Sequence, residues 1–214
     1  MVEDKDGMAH FLVRDIKSLT NIILPIFDNN PLLTSKEFSY IQFKNCLAII
    51  KNNSLTQDEK ITFIDKEKAH KCPDTYIPSK WLDIDLTIMP IENLPITKFW
   101  IIGFVEAEGS FYITLKEKTR LAHGFGITQK KDKIVLEAIK THIGITSTVK
   151  YNRKGFYSMD VYDTYSLKLI KEYFFGTMKG IKSLDYRIWA RSFRDKGKYE
   201  DMLHTQTLLE KIRH

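Results

Sequence analysis

The sequence predicts an α+β fold: one complete unit ordered helix, two strands, helix, two strands, helix, preceded by an incomplete copy of the same unit. Three observations carry this. An apolar helix pattern ends in two glutamates set between glycines, four stretches of period-two alternation follow it, and the chain repeats itself at a spacing of 148 residues.

The apolar helix runs through F-W-I-I-G-F-V-E-A-E-G-S-F at 99–111. Gly103 and Ala107 lie four apart on one face, so a second helix can approach the backbone there, while Ile101, Ile102, Phe104 and Val105 supply area to bury. Glu106 and Glu108 are two residues apart and cannot share a face, so only one can point along the helix end. Phe111, Ile113 and Leu115 alternate with Ser110, Tyr112, Thr114 and Lys116, and Leu121, Phe125 and Ile127 alternate with Ala122, Gly124, Gly126 and Thr128, which predicts two half-buried strands. His123 falls on the apolar side of the second and is expected to be a core histidine with one hydrogen-bonded nitrogen and no chemistry. Helical spacing over 131–143 stops at Gly144, strands over 148–152 and 156–162 flank the turn Arg153-Lys154-Gly155, and 166–175 is helical again.

The repeat is read from two alignments. Asp15 leads into an apolar helix through Ile22, Ile23, Ile26 and Phe27, and Asp163, 148 residues later, leads into another through Ile170, Phe174 and Phe175. Lys36, Tyr40 and Phe43 then answer Lys182, Tyr186 and Trp189 at 146 residues. Glu108 lies 55 residues before Asp163, so its counterpart in the first copy falls ahead of Met1, and that copy is expected to lack its acid helix. The expected organisation is a remnant of the first copy over 1–51, a linker over 52–95 and the complete second copy over 96–214. Asn52-Asn53-Ser54, the charge run Asp58-Glu59-Lys60 and prolines at 73, 78, 90 and 95 suggest the linker.

Ile101 to Gly109, I-I-G-F-V-E-A-E-G, resembles the nine-residue LAGLIDADG motif of intron-encoded homing endonucleases and maturases, and the element order resembles that family's half-domain. The resemblance implies an αββαββα half-domain with a curved antiparallel sheet. It also implies that Glu108, with Gly109 beside it, binds Mg2+ or another divalent cation, which activates water for displacement at phosphorus. Gln129 matches a polar residue at the edge of the family's site, Lys182 its basic residue with Lys179 as the alternative, and Lys36 is the equivalent lysine of the incomplete half. Gly103 and Ala107 would form the helix interface between halves. Glu106 departs from the motif's usual first Asp and is expected to hydrogen-bond or face the helix cap rather than bind metal. DNA would lie across outward strand faces carrying Tyr112, Thr114 and Lys116, and Lys150, Asn152 and Lys154, with Ala122, Gly124 and Gly126 leaving room. The implied activity is sequence-specific cleavage of double-stranded DNA, complete only with a first half that could be a separate LAGLIDADG chain. The alternatives are a maturase acting on group I intron RNA and an inactive remnant.

Composition agrees. A net charge of +6 and pI near 9.1 permit a polyanionic partner, and 43% hydrophobic content over 214 residues is globular. Arg194, Lys196 and Lys198 near the C-terminus form a basic run that can track phosphates or be solvated. Cys46 and Cys72 have no zinc-finger or disulfide spacing, pointing to a reducing compartment. No apolar run reaches membrane-spanning length, and the acidic start is wrong for a signal or transit peptide. Abundant Ile, Lys, Asn and Tyr fit an AT-rich organellar gene, and with the resemblance give a mitochondrial expectation.

Overall fold

The computed structural model describes residues 2–3, 9–118 and 120–212, and the chain divides into a unit spanning Met1–Leu82 and a unit spanning Asp83–His214. In the first unit β1 (Val2–Glu3) and β2 (Ala9–His10) pair antiparallel, with Val2 opposite His10 and Glu3 opposite Ala9. Asp15 then starts a helical segment because its carboxylate accepts the Ser18 N–H at 2.7 Å, occupying one of the donors that a helix start leaves free. The segment comprises α1 (Ile16–Ser18), a π-helical turn over Leu19–Ile23 and α2 (Leu24–Asn29). Following it, α3 (Lys36–Lys51) is tied back by Tyr40, whose hydroxyl donates to the Asp28 carboxylate at 2.7 Å and lies 3.1 Å from the Leu24 carbonyl.

The linker expected over 52–95 is corrected over most of its length. Its charge run is the first turn of a helix, α4 (Gln57–Ala69), where Thr56 and Glu59 form a reciprocal capping box. Gln42 on α3 donates to the Glu67 and His70 carbonyls at the end of α4, both at 2.8 Å. Beyond it Trp81 is buried with its indole N–H on the Leu33 carbonyl, and buried Glu37 accepts from the Tyr76 hydroxyl and from the Ser79 N–H and hydroxyl at 2.6–2.8 Å. A polar, proline-bearing segment is thus fixed by a few satisfied buried groups.

In the second unit Thr97 caps α5 (Lys98–Glu108), which runs directly into β3 (Gly109–Glu117). Then come β4 (Arg120–Gln129), α6 (Lys133–Ile143), β5 (Val149–Tyr151), β6 (Tyr157–Val161) and α7 (Thr164–Phe174), in the helix and strand order the sequence predicts. The four strands form an antiparallel sheet ordered β3-β4-β6-β5, with Phe111 opposite Phe125 and Phe125 opposite Val161. Alternation puts Phe111, Phe125, Ile127, Met159 and Val161 on one face, all buried, and the core there is aromatic, with Phe111 5.1–5.9 Å from Phe125, Phe174, Tyr186 and Trp189 by ring centroid. Two further helices, α8 (Lys182–Arg191) and α9 (Tyr199–Lys211), complete this layer. The second follows the C-terminal basic run and was not anticipated, although Met202, Thr205 and Leu209 mark its buried stripe. Gln206 on it donates to the Ile113 carbonyl at 3.1 Å, so α9 shields β3 at the sheet edge. Among the described residues no helix is long and apolar enough to cross a membrane.

The repeat has a structural counterpart. In the second unit Lys150 faces Ser158 and Tyr151 faces Tyr157, the pairs found in the first unit displaced by 148 residues. Asp163 caps α7 through the Ser166 N–H at 2.7 Å as Asp15 caps α1, and Tyr186 donates to the Lys171 carbonyl as Tyr40 reaches that of Leu24.

Candidate active site and sheet face

The two acids of α5 separate at its end. Glu106 turns aside, its Oε1 accepting the Lys179 and Gly180 N–H groups at 2.6 and 2.9 Å. A Cβ at residue 180 would stand 2.5 Å from Glu106 Oε2, so a larger residue there would displace the carboxylate that holds the loop. Glu108 is exposed and has no hydrogen-bond or ion-pair partner among the described residues. Gly109 follows it, buried, at a point where a Cβ would fall 2.6 Å from Val105 Cγ1 and 2.8 Å from the Val105 carbonyl oxygen. Only glycine lets β3 leave the helix so closely.

Gly109 pairs with Ile127, which brings Glu108 beside the end of β4, where half-buried Gln129 is the last strand residue. The Glu106 contacts draw the 179–180 loop, and with it half-buried Lys182 at the start of α8, to this same end. The fold therefore gathers Glu108, Gln129 and Lys182 at one end of the second unit. Lys36 lies in the first unit, exposed at the start of α3. Among the described residues no three His, Cys, Asp or Glu side chains cluster in a way that could hold a metal ion. An unpaired carboxylate suits a hard divalent cation, but one carboxylate is an incomplete site, so the remaining oxygens would have to come from elsewhere. The face of α5 bearing Gly103 and Ala107 is exposed, a Cβ on Gly103 would meet nothing within 4 Å, and Phe99 on the same face is 85% exposed.

On the sheet face opposite the core, Tyr112 lies flat across β4. A Cβ on Gly124 would stand 2.3 Å from its ring and one on Gly126 3.3 Å, so the small residues expected to leave room for a ligand make room for this tyrosine instead. Its hydroxyl is 3.0 Å from the Tyr162 hydroxyl and 3.2 Å from Asp160 Oδ1. Burial, then the Tyr162 hydrogen bond, raises the Tyr112 pKa, keeping it a neutral phenol. Lys116 Nζ sits 3.1 Å from the Tyr162 ring centroid, a cation–π contact, and Thr114 is half-buried on the same face. Lys150 is exposed on β5, but Asn152 and Lys154 belong to the turn rather than to a strand face. Asn152 Oδ1 accepts the Lys154 N–H at 2.9 Å, an Asx turn that commits its carbonyl to shaping the hairpin. Asp160 is the face residue that sequence reasoning passed over, although its place in the β6 alternation would have found it.

His123 is a core residue, as expected: buried, stacked on Phe193 at 4.0 Å and 2.8 Å from Ser192 Oγ through Nε2. Ser192 donates to the Trp189 carbonyl, so its oxygen accepts from the imidazole. Burial, with Lys196 and Lys171 adding to it, lowers the His123 pKa to about 4.

A family model described as LAGLIDADG endonuclease matches residues 1–47 and 101–193. The chain is 32% identical over 199 residues to the probable intron-encoded endonuclease Cox1-I1b of Schizosaccharomyces pombe, covering 90% of this chain and 49% of that protein. It is 28% identical over 180 residues to the probable intron-encoded endonuclease aI3 of Dictyostelium citrinum, covering 84% and 66%. A shorter match, 33% over 132 residues, covers 59% of this chain and 24% of the uncharacterized mitochondrial protein RF1 of Saccharomyces cerevisiae. The chain thus spans about half the length of the S. pombe relative. Among solved structures, I-SmaMI bound to uncleaved DNA in the presence of calcium ions superposes with a TM-score of 0.71 at 22% identity, covering 94% of this chain and 73% of that one.

Proposed function

Because this chain belongs to the LAGLIDADG endonuclease family, we propose that it forms the second half, and the rear part of the first, of an intron-encoded homing endonuclease that cuts double-stranded DNA. The observation that carries the proposal is Glu108, an exposed carboxylate with no partner among the described residues, at the end of a helix whose Gly103 and Ala107 face is exposed. A second such helix on that face would bring a second acid beside Glu108 and complete an all-oxygen cation site. The second helix would come from sequence outside these 214 residues or from a separate chain.

Mg2+ or another divalent cation would supply charge neutralisation and an activated water for in-line displacement at phosphorus. Glu108 contributes its carboxylate to that site, Lys182 offsets charge developing on the phosphate, and Gln129 orients water at the edge. Lys36 would serve the other half in the same way. Tyr112, Thr114, Lys116 and Lys150 lie toward DNA, and I-SmaMI, whose structures include bound DNA, supports that placement by analogy. The mitochondrial RF1 relative supports an organellar setting.

In a two-half protein, Glu108→Gln should abolish metal-dependent cleavage of one strand and leave binding intact, because it removes charge and keeps shape. Glu106→Gln should instead loosen the 179–180 loop. Loss of cleavage with Glu106→Gln and full activity with Glu108→Gln, at equal stability, would reverse the assignment.

A second reading, binding of group I intron RNA, is favoured by a different surface. A groove of about 530 Å3 in the second unit has Phe174 and Met178 in its walls and Lys171, Arg187, Arg191 and Arg194 around it. Charge removal at Arg187 and Arg191 that weakens RNA binding and spares DNA binding would support it.

A further inference from the structure

We propose that Asp160 determines base preference on the sheet face, accepting a hydrogen bond from the exocyclic amino group of a cytosine or adenine in the major groove. This rests on the reading that the face meets duplex DNA. An exposed carboxylate there faces a polyanion, and phosphates offer it no donor. The donors that duplex DNA does present in the major groove are cytosine N4–H2 and adenine N6–H2, while guanine and thymine show only acceptors there.

The geometry holds Asp160 ready for that role. It stands opposite Gly126, where a Cβ would lie 3.1 Å from its Oδ1, so the glycine lets the carboxylate lean over β4. Oδ1 is engaged by the Tyr112 hydroxyl at 3.2 Å, and that hydroxyl is itself tied to Tyr162 at 3.0 Å. Among the described residues Oδ2 has no such contact and is left to accept. Lys116, on the same face, is held over the Tyr162 ring at 3.1 Å, and no ion pair joins it to Asp160 among the described residues. Tyr112 and Tyr162 are therefore positioning residues and Asp160 the reader. A fixed side chain with one committed oxygen loses little freedom on binding, which favours discrimination.

The test is selection of bound duplexes from a randomised DNA library by the full chain and by Asp160→Asn and Tyr112→Phe, each checked for an unchanged melting transition. Wild type should enrich cytosine or adenine at one position, and the base enriched identifies the amino group. Asp160→Asn, which can also donate, should reduce that preference by about tenfold and leave other positions alone. Tyr112→Phe should weaken the same position by less. Enrichment of specific duplexes with an identical pattern in Asp160→Asn would overturn the inference and leave the DNA-binding reading standing. Failure of wild type to retain any duplex would overturn both.

Discussion

The two units carry the same helical pair in different circumstances. In the second unit Ile170, Phe174 and Trp189 are fully buried, covered by β3 and β4 through Phe111, Phe125 and His123. Their repeat equivalents in the first unit, Ile22, Ile26 and Phe43, are 56%, 50% and 37% exposed. Local structure accounts for part of the contrast at most: Ile22 lies in the π-helical turn whereas Ile170 lies in an unbroken helix, but both units have the same hairpin register, the same aspartate cap and the same tyrosine linking the helices. What differs is the cover. The first unit pairs only the strands equivalent to β5 and β6, and no counterpart of β3 and β4 lies over its helices among the described residues. Caps, turns and helix pairing are thus encoded locally, whereas the fate of an apolar stripe depends on which sheet reaches it.

Deleting equivalent aromatics should separate the two units by the largest margin. Trp189→Ala should cost about 3–5 kcal/mol in chemical denaturation, the range for emptying an aromatic core site, and Phe43→Ala less than about 1 kcal/mol. Equal costs would mean that the first unit already has its core. If the proposed partner half covers these helices, adding it should raise the Phe43→Ala cost toward that of Trp189→Ala.

Acid should separate the units next. His123 is neutral in the fold, with a pKa lowered to about 4, against about 6.5 when unfolded. The unfolded chain therefore takes up the proton first, so the stability His123 confers is complete above about pH 6.5 and is lost as pH falls toward 4. The stability of the second unit should fall by on the order of 2 kcal/mol as pH drops across that window. His123→Asn should remove the slope between pH 6.5 and 5. A slope that survives the substitution would assign it to other groups.

The smallest effect sharpens the repeat itself. Asp163→Ala should cost about 1 kcal/mol and Asp15→Ala should destabilise its helix in the same direction, because each leaves a first-turn N–H without its acceptor. At Asp163 burial favours the neutral acid but the Ser166 hydrogen bonds outweigh it, so its pKa is still lowered. A negligible effect at Asp15 with a clear one at Asp163, followed by helix content, would show that the first helical segment does not depend on its cap.

Most of the second unit was legible because its elements are periodic: alternation marked four strands, spacing marked α5 to α7, and Gly144 at φ 83° ended α6. That Glu106 turns onto the 179–180 loop while Glu108 stays exposed followed from their being two residues apart on a helix. The segment 52–82 was misread because its order comes from Glu37 and Trp81, whose hydrogen bonds span 42 and 48 residues and leave no local pattern. On the sheet face, alternation told which residues point outward but not that Tyr112 would lie down over two glycines. Asn152 was read as a strand residue because an Asx turn and a strand end share the same residue types.

Among the described residues the first unit's helices lack the sheet cover that the second unit's helices have. Amide hydrogen exchange on the intact chain, resolved by mass spectrometry to α2 and α3 against α7 and α8, tests it most directly. The amides of Leu24–Asn29 and Lys36–Lys51 should exchange at least about a hundredfold faster than those of Thr164–Phe174 and Lys182–Arg191, and should slow when a first half is added. Equal protection of the two helical pairs in the chain alone would contradict the account.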